Sequence, residues 1–246
     1  MLVLLGASIA ANAALVKASI HYVDQATAIR LDPAGLKVYA GAPRPPADGP
    51  PVLVVFGDSR AAMWKAPSPL PYRVVNRGIG FQTTSQILMR IDDDVVPLRP
   101  AVVVLEAGVN DLKAIAQFPQ RRAEIVGDCE ANLHRIIEAC RKAGATVVVV
   151  SVFGIGNVAP WRRPLWSDDV AVAVREVNAF LEGQVGDRVV LFDSNAILDD
   201  GHGALRPAYQ IDYLHLTEAG YDALNGGLVS LLRSLPPLAN ATNRGP

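Results

Sequence analysis

The sequence predicts an α/β domain built on a parallel sheet covered on both faces. Three observations predict it. Short, β-branched apolar runs recur along the chain, each is followed by a stretch of helical periodicity, and the runs are continuous rather than alternating. Continuous runs mark strands buried on both sides, and repeated strand–helix units pack as a parallel sheet with right-handed crossovers.

The expected strands are Val52–Phe56, Arg73–Asn76, Ala101–Glu106, Thr146–Phe153 and Arg188–Phe192. Helices are expected over Thr84–Val95, Pro119–Ala143, Ser167–Gln184 and Thr217–Leu235. Their starts carry capping residues: Thr83 or Thr84, the run Ser167-Asp168-Asp169, and Thr217-Glu218. Gly144 stands just past the longest helix, where a glycine can end it.

Before the first strand the chain has a different character. Residues 1–16 are almost wholly apolar and read as a leader or membrane anchor, with Ala11-Asn12-Ala13 as a candidate small-residue cleavage site. The stretch is short for a membrane span and no basic residue precedes it, so a buried or peripheral helix of a cytoplasmic enzyme is the alternative. The first reading places the protein outside the cytoplasm, exported or anchored facing the cell exterior or periplasm. Residues 17–51 read as a linker, Pro-rich at its end (Ala42-Pro-Arg-Pro-Pro-Ala-Asp-Gly-Pro-Pro51), that stays extended. The head then runs over 52–236, and 237–246 reads as a frayed tail.

Composition limits what the head can do. With 246 residues, half of them hydrophobic, the chain can build one sizeable core. A net charge of −1, no long basic cluster and 6% aromatic residues argue against a nucleic-acid partner. Cys129 and Cys140 fall in one expected helix, roughly 16 Å apart along its axis and beyond disulfide reach, so they are expected as buried thiols.

The chemistry gathers at strand ends. Val52-Leu-Val-Val-Phe-Gly-Asp-Ser59 is an apolar strand that stops at Gly-Asp-Ser, which delivers one hydroxyl to the carboxyl edge of the sheet. A serine there is often only a helix cap, so a base must be found. Of four histidines, His21 lies in the linker, His134 on a helix surface and His202 between glycines in a turn. His215 alone follows an acid at short spacing, in Asp212-Tyr-Leu-His215, just before a helix signal. Ser59, His215 and Asp212 thus offer a nucleophile, a base and an orienting carboxylate. Asn110, after the third strand, can donate to a developing oxyanion with the Ser59 amide, and the turn Asn76-Arg-Gly-Ile-Gly-Phe-Gln-Thr-Thr84 can add a backbone donor.

These residues resemble a known family. Phe56-Gly-Asp-Ser59, Asn76–Thr84, Gly108-Val-Asn-Asp111 and Asp212-Tyr-Leu-His215 look like the four sequence blocks of the SGNH (GDSL-type) hydrolases, in the family's order. The resemblance covers about Val52 to Leu235. It implies a flavodoxin-like three-layer α/β/α sandwich with a five-stranded parallel sheet, and esterase, lipase or acetylhydrolase activity without metal or other cofactor. It implies Ser59 as nucleophile, His215 as base, Asp212 as its orienter and Asn110 as oxyanion donor. One position departs: the family's oxyanion glycine falls at Phe81, with Gly80 just before it. The further backbone donor is therefore Gly80 or Phe81, and a phenylalanine required at positive φ would be strained.

The expected activity is hydrolysis of small acyl esters of carbohydrate or lipid through an acyl-enzyme on Ser59. The alternatives are an O-acyltransferase and a catalytically silent glycan-binding module of the same fold. A flavin or nucleotide protein is disfavoured, because Gly154-Ile-Gly-Asn-Val-Ala159 runs into Pro160-Trp-Arg-Arg-Pro164 and no helix can start there. That loop is instead a candidate substrate wall through Trp161, Arg162, Arg163 and Trp166. Gly6-Ala-Ser-Ile-Ala10 lies in the leader, and no Gly-x-Ser-x-Gly elbow occurs elsewhere. Asp92-Asp-Asp94 reads as a solvated helix end rather than a metal site, and Arg60 and Lys113 read as exposed charges beside the catalytic blocks.

Overall fold

A computed structural model describes residues 2–46 and 48–235; the expected tail lies outside them. Five strands form one parallel sheet: β1 (Val52–Gly57), β2 (Arg73–Gly78), β3 (Val102–Glu106), β4 (Thr146–Val150) and β5 (Val189–Phe192). Their order is β2-β1-β3-β4-β5, with Val54 of β1 opposite Val75 on one side and Val103 on the other. The strand order reverses at β1. Beyond the carboxyl ends of β1 and β3 the connections leave in opposite directions, and the crevice between them is where open α/β sheets bind ligands.

The helices are α1 (Leu2–Leu31), α2 (Ser59–Ala62), α3 (Thr84–Met89), α4 (Ile91–Asp94), α5 (Val109–Leu112), α6 (Arg122–Lys142), α7 (Asp169–Glu182), α8 (Asn195–Leu198) and α9 (Glu218–Ser234). Because strand side chains alternate, each strand feeds two cores. Val54, Phe56, Val103 and Leu105 pack with Ile87, Leu133, Ile136 and Val177 on the α3, α6 and α7 side. Leu53, Val55, Val102 and Val104 meet Trp64, Leu198, Leu224 and Leu228 on the other. Each fully buried aliphatic side chain contributes about 1.5–3 kcal/mol. Both cysteines are buried free thiols on α6, and burial pushes Cys140 up to about 12.

The expected helix over Thr84–Val95 is broken at Arg90, which leaves helical geometry at φ −109°, ψ 7°. Its guanidinium turns inward and donates to the carbonyls of Gly57 and Arg77, to Gln82 Oε1 and to Asp94 Oδ2. Asp94 is therefore a buried ion-pair partner, not part of a solvated acidic end. Strand β4 stops at Val150 rather than Phe153, because the Asn178 side chain takes over both backbone groups of Val152.

The first 51 residues also differ from expectation. The helix does not end near Val16 but runs through Lys17 and His21 to Leu31, and its side chains from Val3 onward are exposed. An 18-residue stretch within Val3–Leu31 has a mean hydropathy of 1.7, so the helix is long and apolar enough to cross a membrane. Between Leu31 and the Pro-rich stretch the chain is docked on the head: Gln86 donates to the Pro33 carbonyl, Gln82 to the Ala34 carbonyl, and Tyr39 to the Gly78 carbonyl. It packs against the end of β2 and the loop that leads from there into α3.

Candidate active site

Ser59 opens α2 directly beyond β1. Asp58 caps that helix, its Oδ1 accepting from the Arg60 amide at 2.8 Å. The turn needs a glycine at 57, which sits at φ +154° with the Glu106 carbonyl where a side chain would begin. Asn76 fixes the far side: it donates to the Ala61 and Trp64 carbonyls while accepting from the Gly78 amide. The hydroxyl is thereby held at the β1/β3 crevice by backbone contacts on both flanks.

His215 reaches the same point from the loop before α9. Its Nε2 lies 2.9 Å from Ser59 Oγ, and its Nδ1 lies 2.9 Å and 3.1 Å from the Asp212 oxygens. Asp212 Oδ1 also accepts from the amides of Leu214 and His215, which closes the loop into a tight turn. Burial pushes the Asp212 carboxyl up, but the His215 ring and those two amides outweigh it and hold it below the usual carboxylate range. An ionised carboxylate on Nδ1 leaves Nε2 free to take the serine proton.

The donors expected for an oxyanion come from the same carboxyl edge of the sheet, after β3 and after β2. Asn110 lies in the first turn of α5 and is buried; one of its amide hydrogens goes to the Gln82 carbonyl at 3.0 Å. An amide nitrogen carries two hydrogens, so one is left for a ligand. Gly80 lies against the nucleophile, since a side chain there would meet Ser59 Cβ at 3.9 Å. Phe81 is at φ +66° and 76% exposed, so the phenylalanine does occupy the left-handed region.

Of the loop candidates, two reach the base side. The Arg162 guanidinium lies 5.2 Å from the Tyr213 ring centre, and Trp166 meets the same ring edge-on at 5.1 Å. Trp161 is 78% exposed and Arg163 is exposed, and neither joins this contact. Among the described residues, no group of three or more His, Cys, Asp or Glu side chains is placed to hold a metal ion.

Beneath the hydroxyl lies a charged layer that was not expected. Arg60 is fully buried, not an exposed charge; it stacks 3.7 Å from the Phe153 ring centre and stands 3.8 Å from Glu106. Burial and the neighbouring Asp58 carboxyl push Glu106 well above its ordinary value. Lys113 is likewise partly buried. Nothing in the local sequence marks these residues as inward-facing; only their place directly after Ser59 and close after Asp111 hints at it.

A family model for GDSL-like lipases and acylhydrolases matches residues 47–223. Solved structures share the fold. A GDSL-like lipase from Bacteroides thetaiotaomicron is 23% identical, with 81% of this chain and 98% of that one covered at a TM-score of 0.62. An acetylxylan esterase from Geobacillus stearothermophilus is 20% identical, with 74% and 94% covered at a TM-score of 0.54. Two structures of that esterase are catalytic mutants, one a serine-to-alanine and one a histidine-to-alanine change. No curated protein matches the chain.

Proposed function

This chain belongs to the GDSL-like lipase/acylhydrolase family and is a carboxylic ester hydrolase; from that premise we propose that it cleaves small acyl esters of carbohydrate or lipid through an acyl-enzyme on Ser59. The observation that carries the reading is the relay from Ser59 Oγ to His215 Nε2 at 2.9 Å and from His215 Nδ1 to Asp212 at 2.9 Å.

In the first half-reaction Ser59 Oγ attacks the acyl carbonyl carbon while its proton passes to His215 Nε2. The oxyanion that forms faces the Ser59 amide, the free Asn110 amide hydrogen and the amide of Gly80 or Phe81. Each such donor contributes about 3–4 kcal/mol to the transition state. Collapse of the tetrahedral intermediate breaks the ester C–O bond, and the imidazolium returns its proton to the departing alcohol. Water then repeats the attack on the acyl-enzyme, His215 again taking and returning a proton, and the carboxylic acid leaves with Ser59 restored. Asp212 stabilises the imidazolium in both halves.

Openness favours water over a second alcohol as the acceptor: the His215 side chain is 24% exposed and that of Asp212 46%. The acetylxylan esterase of like fold and the lipases of the family support acetyl or short acyl groups as the chemistry. Helix α1, if it enters a bilayer, holds this head at a membrane surface outside the cytoplasm.

The test is hydrolysis of 4-nitrophenyl esters, acetate through octanoate, by wild type and Ser59→Ala. Turnover that drops about 10⁴-fold or more in the variant is the expected result. Absence of turnover by folded wild-type protein overturns the reading.

A further inference from the structure

Lys113 and Arg162 come from separate parts of the chain and line one cavity. Lys113 begins the short helical turn Lys113–Ala116 after α5, and Arg162 lies in the loop after β4. The cavity measures about 160 Å³, and Gln117, Leu165, Trp166 and Tyr213 complete its wall. No acid lines it.

The cavity adjoins the proposed catalytic groups on two sides. Lys113 Nζ lies 5.8 Å from the ring centre of Phe81, next to Gly80 on the oxyanion side. Tyr213, under the Arg162 guanidinium, sits between Asp212 and Leu214 on the base side. Asp58, beside the nucleophile, and Asp212, beside the base, both act electrostatically on the Lys113 ammonium.

Neither cation is matched. Among the described residues no ion pair involves Lys113 or Arg162. Burial lowers the Lys113 ammonium below its usual value, and the more distant Asp58 and Asp212 carboxylates offset this only in part. A partly desolvated cation without a counter-charge is costly, and the cost is recovered when an anion arrives. A lysine point charge beside an arginine fork suits carboxylate and phosphate oxygens alike. The edge-on Trp166 and Tyr213 rings add flat apolar walls suited to a sugar ring or short chain.

We infer that this pocket binds an anionic group, carboxylate or phosphate, carried by the ester substrate, and so selects anionic esters over neutral ones. The inference rests on the esterase reading of Ser59 and names the substrate class of that site.

Three esters with one scaffold test it: a methyl glucoside, a methyl glucuronide and a methyl glucoside 6-phosphate, each acetylated at the same hydroxyl. Wild-type protein is expected to hydrolyse at least one anionic ester with kcat/KM about tenfold above the neutral one, the gain residing in KM. The preferred anion identifies the source, carboxylate or phosphate. Raising ionic strength from about 0.05 to about 0.5 M should erode the preference in the wild-type protein itself. In Lys113→Met and in the Lys113→Met, Arg162→Met double variant, the ratio of anionic to neutral kcat/KM should fall towards one. Equal rates on all three esters, with 4-nitrophenyl acetate still hydrolysed, overturn the pocket and leave the esterase standing. No turnover of any ester, 4-nitrophenyl acetate included, overturns both.

Discussion

Arg60 donates its Nε–H to the Leu214 carbonyl at 2.8 Å, so the residue after the proposed nucleophile grips the residue before the proposed base. The same guanidinium donates to the Phe153 carbonyl at 3.2 Å and is wholly buried. The two loops that must bring Ser59 and His215 to hydrogen-bond distance are thus tied by one side chain. Misplacement of a reacting group by about 1 Å can cost about 100-fold, so Arg60→Met is expected to lower kcat by about 10–100-fold with little change in KM. Leaving Glu106 and two carbonyls without their partner should also cost about 3–5 kcal/mol of stability. Arg60→Lys keeps the charge but cannot span both carbonyls, so its kcat should fall between wild type and the Met variant. Steady-state kinetics with urea unfolding reads both effects; an unchanged kcat in a folded Met variant would remove the positioning role.

Phe81 is held at a cost. At φ +66° a non-glycine residue carries about 1–2 kcal/mol of backbone strain, and a ring that is 76% exposed recovers little of it by burial. Phe81→Gly should therefore stabilise the protein by about 1 kcal/mol, less the extra chain entropy glycine has when unfolded. Phe81→Ala keeps the strain and should not gain. Urea unfolding of the pair decides it: equal stabilities would mean the strain is relieved elsewhere.

The sheet was legible because burial on both faces leaves no choice of residue. Val52–Phe56 is apolar throughout, and so is the observed β1. That Ser59, Asp212 and His215 would meet was legible for a different reason: each stands where a strand or helix begins or ends, at one edge of the sheet. Arg60 was not legible, since its partners are backbone carbonyls, and a carbonyl of Leu214 or Phe153 leaves no mark in the sequence. The break at Arg90 was hidden likewise, because the helical pattern runs through it while the side chain turns inward. The docking of Pro33 was hidden for the same reason as Arg60, because Gln86 grips its backbone carbonyl.

Helix α1 and the head make separable contributions. The contacts that bind the N-terminal region to the head begin at Pro33, after the helix ends, while the helix side chains from Val3 onward are exposed. Deletion of residues 1–31 should leave 4-nitrophenyl acetate hydrolysis within about twofold of the full chain, as expected for surface changes remote from the site. The same deletion should abolish co-sedimentation with phospholipid vesicles, because the apolar span that can enter the bilayer is gone. Binding of the truncated head to vesicles as tightly as the full chain would move the membrane contact elsewhere.

Asp111 makes stability depend on pH in a direction opposite to that of most surface acids. Its carboxylate accepts from the Thr84 amide at 2.9 Å and the Thr84 hydroxyl at 2.7 Å, tying α5 to the start of α3. Burial nevertheless outweighs these bonds and raises its pKa from 3.8 to about 6. The folded state therefore holds the proton more tightly than the unfolded chain does. Its contribution is fully present below pH 3.8 and is lost as pH rises through about 6. The whole window is worth at most about 3 kcal/mol. Other buried acids, Asp58, Asp94 and Glu106, are raised as well, so the slope of the wild type alone cannot be assigned to one group. Asp111→Asn isolates it: the difference in unfolding free energy between wild type and variant should shift in the variant's favour between about pH 4 and pH 7.5, by no more than about 3 kcal/mol. The side-chain oxygen of Asn still accepts from Thr84, so the α3–α5 tie is weakened rather than lost. A difference that stays constant across that range would show the Asp111 carboxyl to be as well solvated in the fold as in the unfolded chain.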